Sequence, residues 1–115
     1  MTPSAVIVET ANRLHSTTDS EGRQISVKRP NALDKLRLLK AAGPILSENQ
    51  AWLGVAILAV AAVELDGIPI PPPTNEQQVE ATVARLGDHG LDAVANTLTA
   101  IEAEITTGNS SRTPI

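Results

Sequence analysis

Cysteine, phenylalanine and tyrosine are absent from this chain of 115 residues, and tryptophan occurs once, at Trp52. Without cysteine there can be neither a disulfide nor a thiolate-bound metal, which suits a reducing compartment. Without Phe and Tyr the apolar content comes from Ala, Val, Leu and Ile. Alanine-rich helices pack closely but bury little area each. A lone chain of this kind should be modestly stable and lean on self-association or a partner. Long apolar runs are missing too: the longest uncharged stretch, Ala51 to Val63, falls short of the roughly 20 residues that cross a bilayer. No membrane span is therefore expected. No basic cluster leads into an apolar run near Met1, so no secretory leader is expected either. The length suits one domain that buries roughly two-thirds of its unfolded surface.

Catalytic equipment is equally sparse. The only histidines are His15, on the polar face of an expected strand, and His89, in an expected connection, and both read as solvated or turn-bonded. No HExxH, phosphate-cradling glycine loop or GxSxG occurs. The pairs Glu76/Glu80 and Glu102/Glu104 read as solvated helix faces, because acid–base work needs carboxylates perturbed in a pocket. No enzyme, cofactor or metal site is expected.

The charge is uneven. Residues 1–40 hold seven Lys/Arg against four Asp/Glu, and residues 41–115 hold two against nine. The two halves can face each other within one monomer or orient head-to-tail contacts between copies. Lys28, Arg29, Lys35, Arg37 and Lys40 form a basic patch. No aromatic stands beside it and the chain as a whole is acidic, so a solvated or acid-paired helix face is favoured over nucleic acid.

Periodicity predicts an α+β chain, mainly α: an N-terminal β-hairpin followed by a small bundle of about four helices, in one domain over 1–105. Val6 to Glu9 could add a short strand. The hairpin covers about 12–28, turning at Asp19-Ser20-Glu21-Gly22, with Ile25 and Val27 on its apolar face. Asn31 caps a first helix over 32–42, ended by Gly43-Pro44. Leu33, Leu36 and Leu39 form its expected inward stripe, with Leu38 on the opposite side. A Ser47/Gln50 capping box opens a second helix over 48–65, and Thr74/Gln77 a third over 75–86. Between them Ile68 to Pro73 (IPIPPP) must be an extended strap, whose Pro69/Pro72 spacing needs no ligand to explain it. A fourth helix covers 91–105, and 106–115 reads as a disordered tail.

The second helix carries the functional expectation. At 100° per residue, Leu53, Ile57 and Val60 fall on one side, Leu58 and Leu65 on another with Gly54 and Ala61 between, and Trp52 and Val63 on a third. A helix apolar all round is either enclosed or meets something. The expected protein-binding residues are Trp52, Gly54, Leu58, Ala61 and Leu65, joined by the exposed Leu38, with small residues allowing a partner helix to approach.

The run DSEGRQISVKRPNALDKLRLLKAAGP, then NQAWLGVAILAVAAVELDGIPIPPPTNEQQVEATVARLGDHGLDAV, resembles the tail assembly chaperones of long-tailed phages and prophages over roughly Thr18 to Ala100. The likeness lies in the order: hairpin, NALDKL helix, WLG-initiated apolar helix, DGxPxP strap, RLGDxGL connection. It implies a host-cytoplasmic protein, absent from the mature virion, that coats the helical tape-measure protein, helps recruit tail tube subunits and forms a weak homo-oligomer. A structural tail-completion or connector component, or a small DNA-binding regulator, are the alternatives to that reading.

Overall fold

The hairpin forms where the alternation predicts it. In the computed structural model, which describes residues 13–112 and side chains as far as Ile105, β1 (His15–Thr18) pairs antiparallel with β2 (Gln24–Val27), His15 opposite Val27 and Thr18 opposite Gln24. Asp19 builds the turn: its Oδ1 accepts from the backbone N–H groups of Glu21 and Arg23, both at 2.9 Å. Such self-bonding is why aspartate favours turns. Ile25 and Val27 are fully buried, as their shared face requires. The strand expected at Val6–Glu9 lies outside the described residues.

Asn31 caps α1 (Ala32–Leu46), exchanging hydrogen bonds with Asp34 in a capping box. Helical backbone breaks at Gly43, the expected stop, and Pro44 starts one further turn. The Ser47/Gln50 box is not used. Ser47 instead closes α1, its N–H donating to the Gly43 carbonyl at 3.0 Å. Asn49 caps α2 (Gln50–Ala61) through the Trp52 N–H.

The second helix stops four residues short of its predicted end. Residues expected as its last turn form β3 (Ala62–Leu65), which pairs with β2, Ile25 opposite Leu65 and, past a bulge, Val27 opposite Ala62. β4 (Ile68–Pro69) folds back on β3. Asp66 and Gly67 both have positive φ, 51° and 79°, as a two-residue type I′ hairpin turn demands. Asp-Gly between apolar residues signals such a hairpin, and β2 supplies an edge needing a partner. Together they override a helical pattern that is only a weak preference. The result is a four-stranded antiparallel sheet ordered β1-β2-β3-β4.

The expected third and fourth helices are one element, α3 (Glu76–Arg112), interrupted at Gly87, whose φ of 64° suits glycine. The chain is thus α+β and mainly helical as predicted, with three helices rather than about four. Asn75, not Thr74, receives the first-turn Gln78 N–H, while Thr74 bonds the Gln78 side chain. The helix also continues through 106–112, assigned above to a disordered tail; 113–115 lie outside the described residues. Once nucleated, a helix gains a hydrogen bond for each residue it fixes, so indifferent helix formers can extend it.

Two apolar clusters share α2 and α3. One seals the sheet's inner face, Ile25, Val27, Ala62 and Leu65, against Leu86 and Val94 of α3. The other joins Leu38 of α1 to Ala56 of α2 and Val79 of α3, with Val83 packed against both clusters. Each fully buried Leu, Ile or Val contributes roughly 1.5–3 kcal/mol. Gly90 is there for space: a Cβ on it would sit 3.0 Å from that of Leu86.

Candidate protein-binding surface

The leucines of α1 are arranged opposite to expectation. Leu38 is buried, 4% exposed, beside Ala42. Leu33, Leu36 and Leu39, the predicted inward stripe, face out at 50%, 63% and 41%. Ile45, in the turn after Gly43, is 83% exposed. On the inner side Leu38 packs with Ala56 of α2 and Val79 of α3, and Ala42 is buried one turn on.

On the outer surface Leu39, Leu36 and Leu33 follow one another across an arc of about 120°. Lys40 stands within that arc, Arg37 at one edge and Lys35 at the other. An open groove of about 720 Å³ runs past Leu36, Leu39 and Lys40 to Gly43, Pro44 and Ser47. Beyond Lys40 a second cleft, about 420 Å³, lies between Arg37, Lys40 and Ala41 of α1 and Pro72 and Pro73 of the strap with the following Thr74.

The charge halves partly face each other. Arg29 donates from Nε to Glu102 at 2.5 Å, and Arg13 meets Glu104 at 3.5 Å. Lys35, Arg37 and Lys40 form no ion pair with a described residue. Exposed pairs are worth about 0–1 kcal/mol, so these contacts orient more than they stabilise.

The residues expected on α2 do not form one surface. Ala61 is fully buried, and Leu65 is buried on β3, not on a helix. Leu38 is likewise core, and these three assignments are corrected. Leu58 is half-buried against the sheet cluster. Trp52 is half-buried in the second cluster, its indole N–H donating to Glu80 Oε2 at 3.3 Å. Gly54 and its neighbour Val55 are exposed, and Val55 borders a cleft of about 260 Å³ with Trp52, Val79 and Glu80. The buried side of α2 is Ala56, Ala59 and Ala61, while Ala51, Gly54 and Val55 stay exposed. Replacing Leu58 with Asp should cost about 2 kcal/mol by placing a carboxylate against the sheet. A urea midpoint unchanged from the parent would show that Leu58 is not core.

His15 is also corrected. It is half-buried, and its Nε2 is buried without a hydrogen-bond partner among the described residues. His89 accepts or donates at Nδ1 to Ser20 Oγ, 2.6 Å away, with Glu21 3.9 Å from its other nitrogen. His89 and Glu21 are more than half exposed, and this contact ties the hairpin turn to α3. No helix among the described residues is long and apolar enough to cross a membrane. No protein-family model, curated protein or solved structure matches this chain.

Proposed function

We propose that this protein is a phage tail assembly chaperone that holds a helical client, the tape-measure protein, on the outer face of α1. The observation that carries the reading is the exposed row Leu33, Leu36 and Leu39. A single exposed leucine is ordinary, but an aligned row on one helix marks an interaction surface. A client helix lying against it would cover what the lone chain leaves in water, through the helix-in-groove mode. Many weak contacts along a long client would sum through multivalency. The sequence resemblance supports the same role, in the host cytoplasm and outside the finished virion.

Co-expression tests it. The wild-type chain should move the tape-measure protein into the soluble fraction, and the double variant Leu36→Asp/Leu39→Asp should return it to the pellet. Both positions are exposed, so the variant should unfold within about 0.5 kcal/mol of wild type. Rescue that survives the double substitution would remove α1 as the client face. Purified particles containing the chain in stoichiometric amount would replace the chaperone reading with the connector one.

A further inference from the structure

We infer that the outer face of α1 is built for an acidic amphipathic helix, whose apolar residues sit on Leu33, Leu36 and Leu39 and whose flanking carboxylates meet Lys35, Arg37 and Lys40. This deepens the reading of α1 as the client face and rests on it. Charge complementarity selects the occupant. Elsewhere in the basic half, Arg13 and Arg29 find glutamates on α3, yet the three cations of α1 pair with no described residue. These cations occupy the same arc and edges as the leucines. An apolar partner lacking acids would leave them unmatched, and a basic one would be repelled.

The clefts give the match a place. Lys40 borders both the apolar groove and the cleft under the strap. A carboxylate one helical turn from an apolar residue in the groove would reach the cleft, where Arg37 offers a planar fork suited to carboxylate. The cleft's far wall is Pro72 and Pro73, whose fixed φ leaves little freedom to lose on binding. That wall also distinguishes a peptide from a lipid surface. A membrane-surface helix lays its apolar face flat into the headgroups. Here the strap forms one side of the cationic cleft, giving a concave seat.

Two synthetic helices of about 18 residues, or five turns, test this on the full chain. They share one leucine pattern and carry either Glu or Lys beside it. In fluorescence anisotropy the Glu peptide should bind at least about tenfold tighter than the Lys peptide, and raising the salt should narrow the gap. The variant Arg37→Glu/Lys40→Glu should reverse the preference with an unchanged unfolding midpoint. Equal binding of both peptides, binding of neither, or no reversal would overturn the inference. Sedimentation with phosphatidylglycerol-containing vesicles but no binding of the Glu peptide would also overturn it, in favour of a lipid surface. The two readings fail separately. Co-expression rescue that needs Leu36 and Leu39 but ignores the charge reversal would sink this chemistry and leave the chaperone role. Glu-peptide binding without rescue of the tape-measure protein would sink the client identity and leave the surface.

Discussion

Arg23→Ala should destabilise the fold by about 3 kcal/mol, lowering the thermal midpoint by roughly 15 °C. The guanidinium holds three acceptors at once: Asp19 Oδ2 from Nε at 2.7 Å, the Arg85 carbonyl from Nη1 at 2.8 Å and the Leu86 carbonyl from Nη2 at 2.5 Å. Helical backbone breaks immediately after those carbonyls, at Gly87, and carbonyls at such a break lose their partners along the helix. Arg23 replaces them, and so locks the hairpin turn onto α3. Its loss leaves two carbonyls short of a charged donor and a buried carboxylate without its counter-ion. Arg23→Lys keeps the charge but not the fork, and should fall between alanine and wild type. A melting curve for Arg23→Ala that overlays the parent would show that the contact is incidental.

The same site makes a signed prediction for acid. Burial pushes the Asp19 carboxyl up, but the hydrogen bonds from the Arg23 N–H, the guanidinium and the Glu21 N–H, with the guanidinium's charge, outweigh it and hold the pKa below its ordinary 3.8. A carboxyl more acidic when folded than unfolded stabilises the fold above its unfolded pKa and loses that contribution as pH falls through the folded one. Stability should therefore decline as pH drops below about 4, and Arg23→Ala should flatten that decline.

Leu86→Ala should cost about 4 kcal/mol, within the 2–5 kcal/mol that buried leucines usually show. Leu86 is fully buried where α3 meets the sheet, and its side chain lies against Gly90 one turn on. The core has no Phe or Tyr that could swing into the gap. Its neighbours include alanines and valines, which are too short or too stiff to collapse into it. Leu86→Met, which nearly conserves volume, should cost less than about 1.5 kcal/mol. Urea unfolding measures both, and equal losses for the two would mean that the site relaxes freely.

Elements whose signal is local and backbone-borne were legible in advance: the Asp19 turn, the Asn31 cap and the interruptions at Gly43 and near Gly87. The β3–β4 hairpin was missed: Asp66-Gly67 was read as the end of a helix, because the apolar run before it also satisfies one. The four-residue strand could be separated from a helical turn only by knowing that β2 had an open edge. The cap at Asn49 was masked by Ser47, which has the same chemistry two residues earlier.

The binding surface was the least legible part. Composition alone determined that the core would be aliphatic and that no disulfide could staple it, and the order of residues put the positive charge in the first forty. Which side of α1 faces water was decided only by tertiary packing. A helical pattern shows that two faces differ but not which one its neighbours can accommodate. In the fold Leu38 packs against Ala56 and Val79 with Ala42 buried beside it, and the larger leucine row is left outside among the cations.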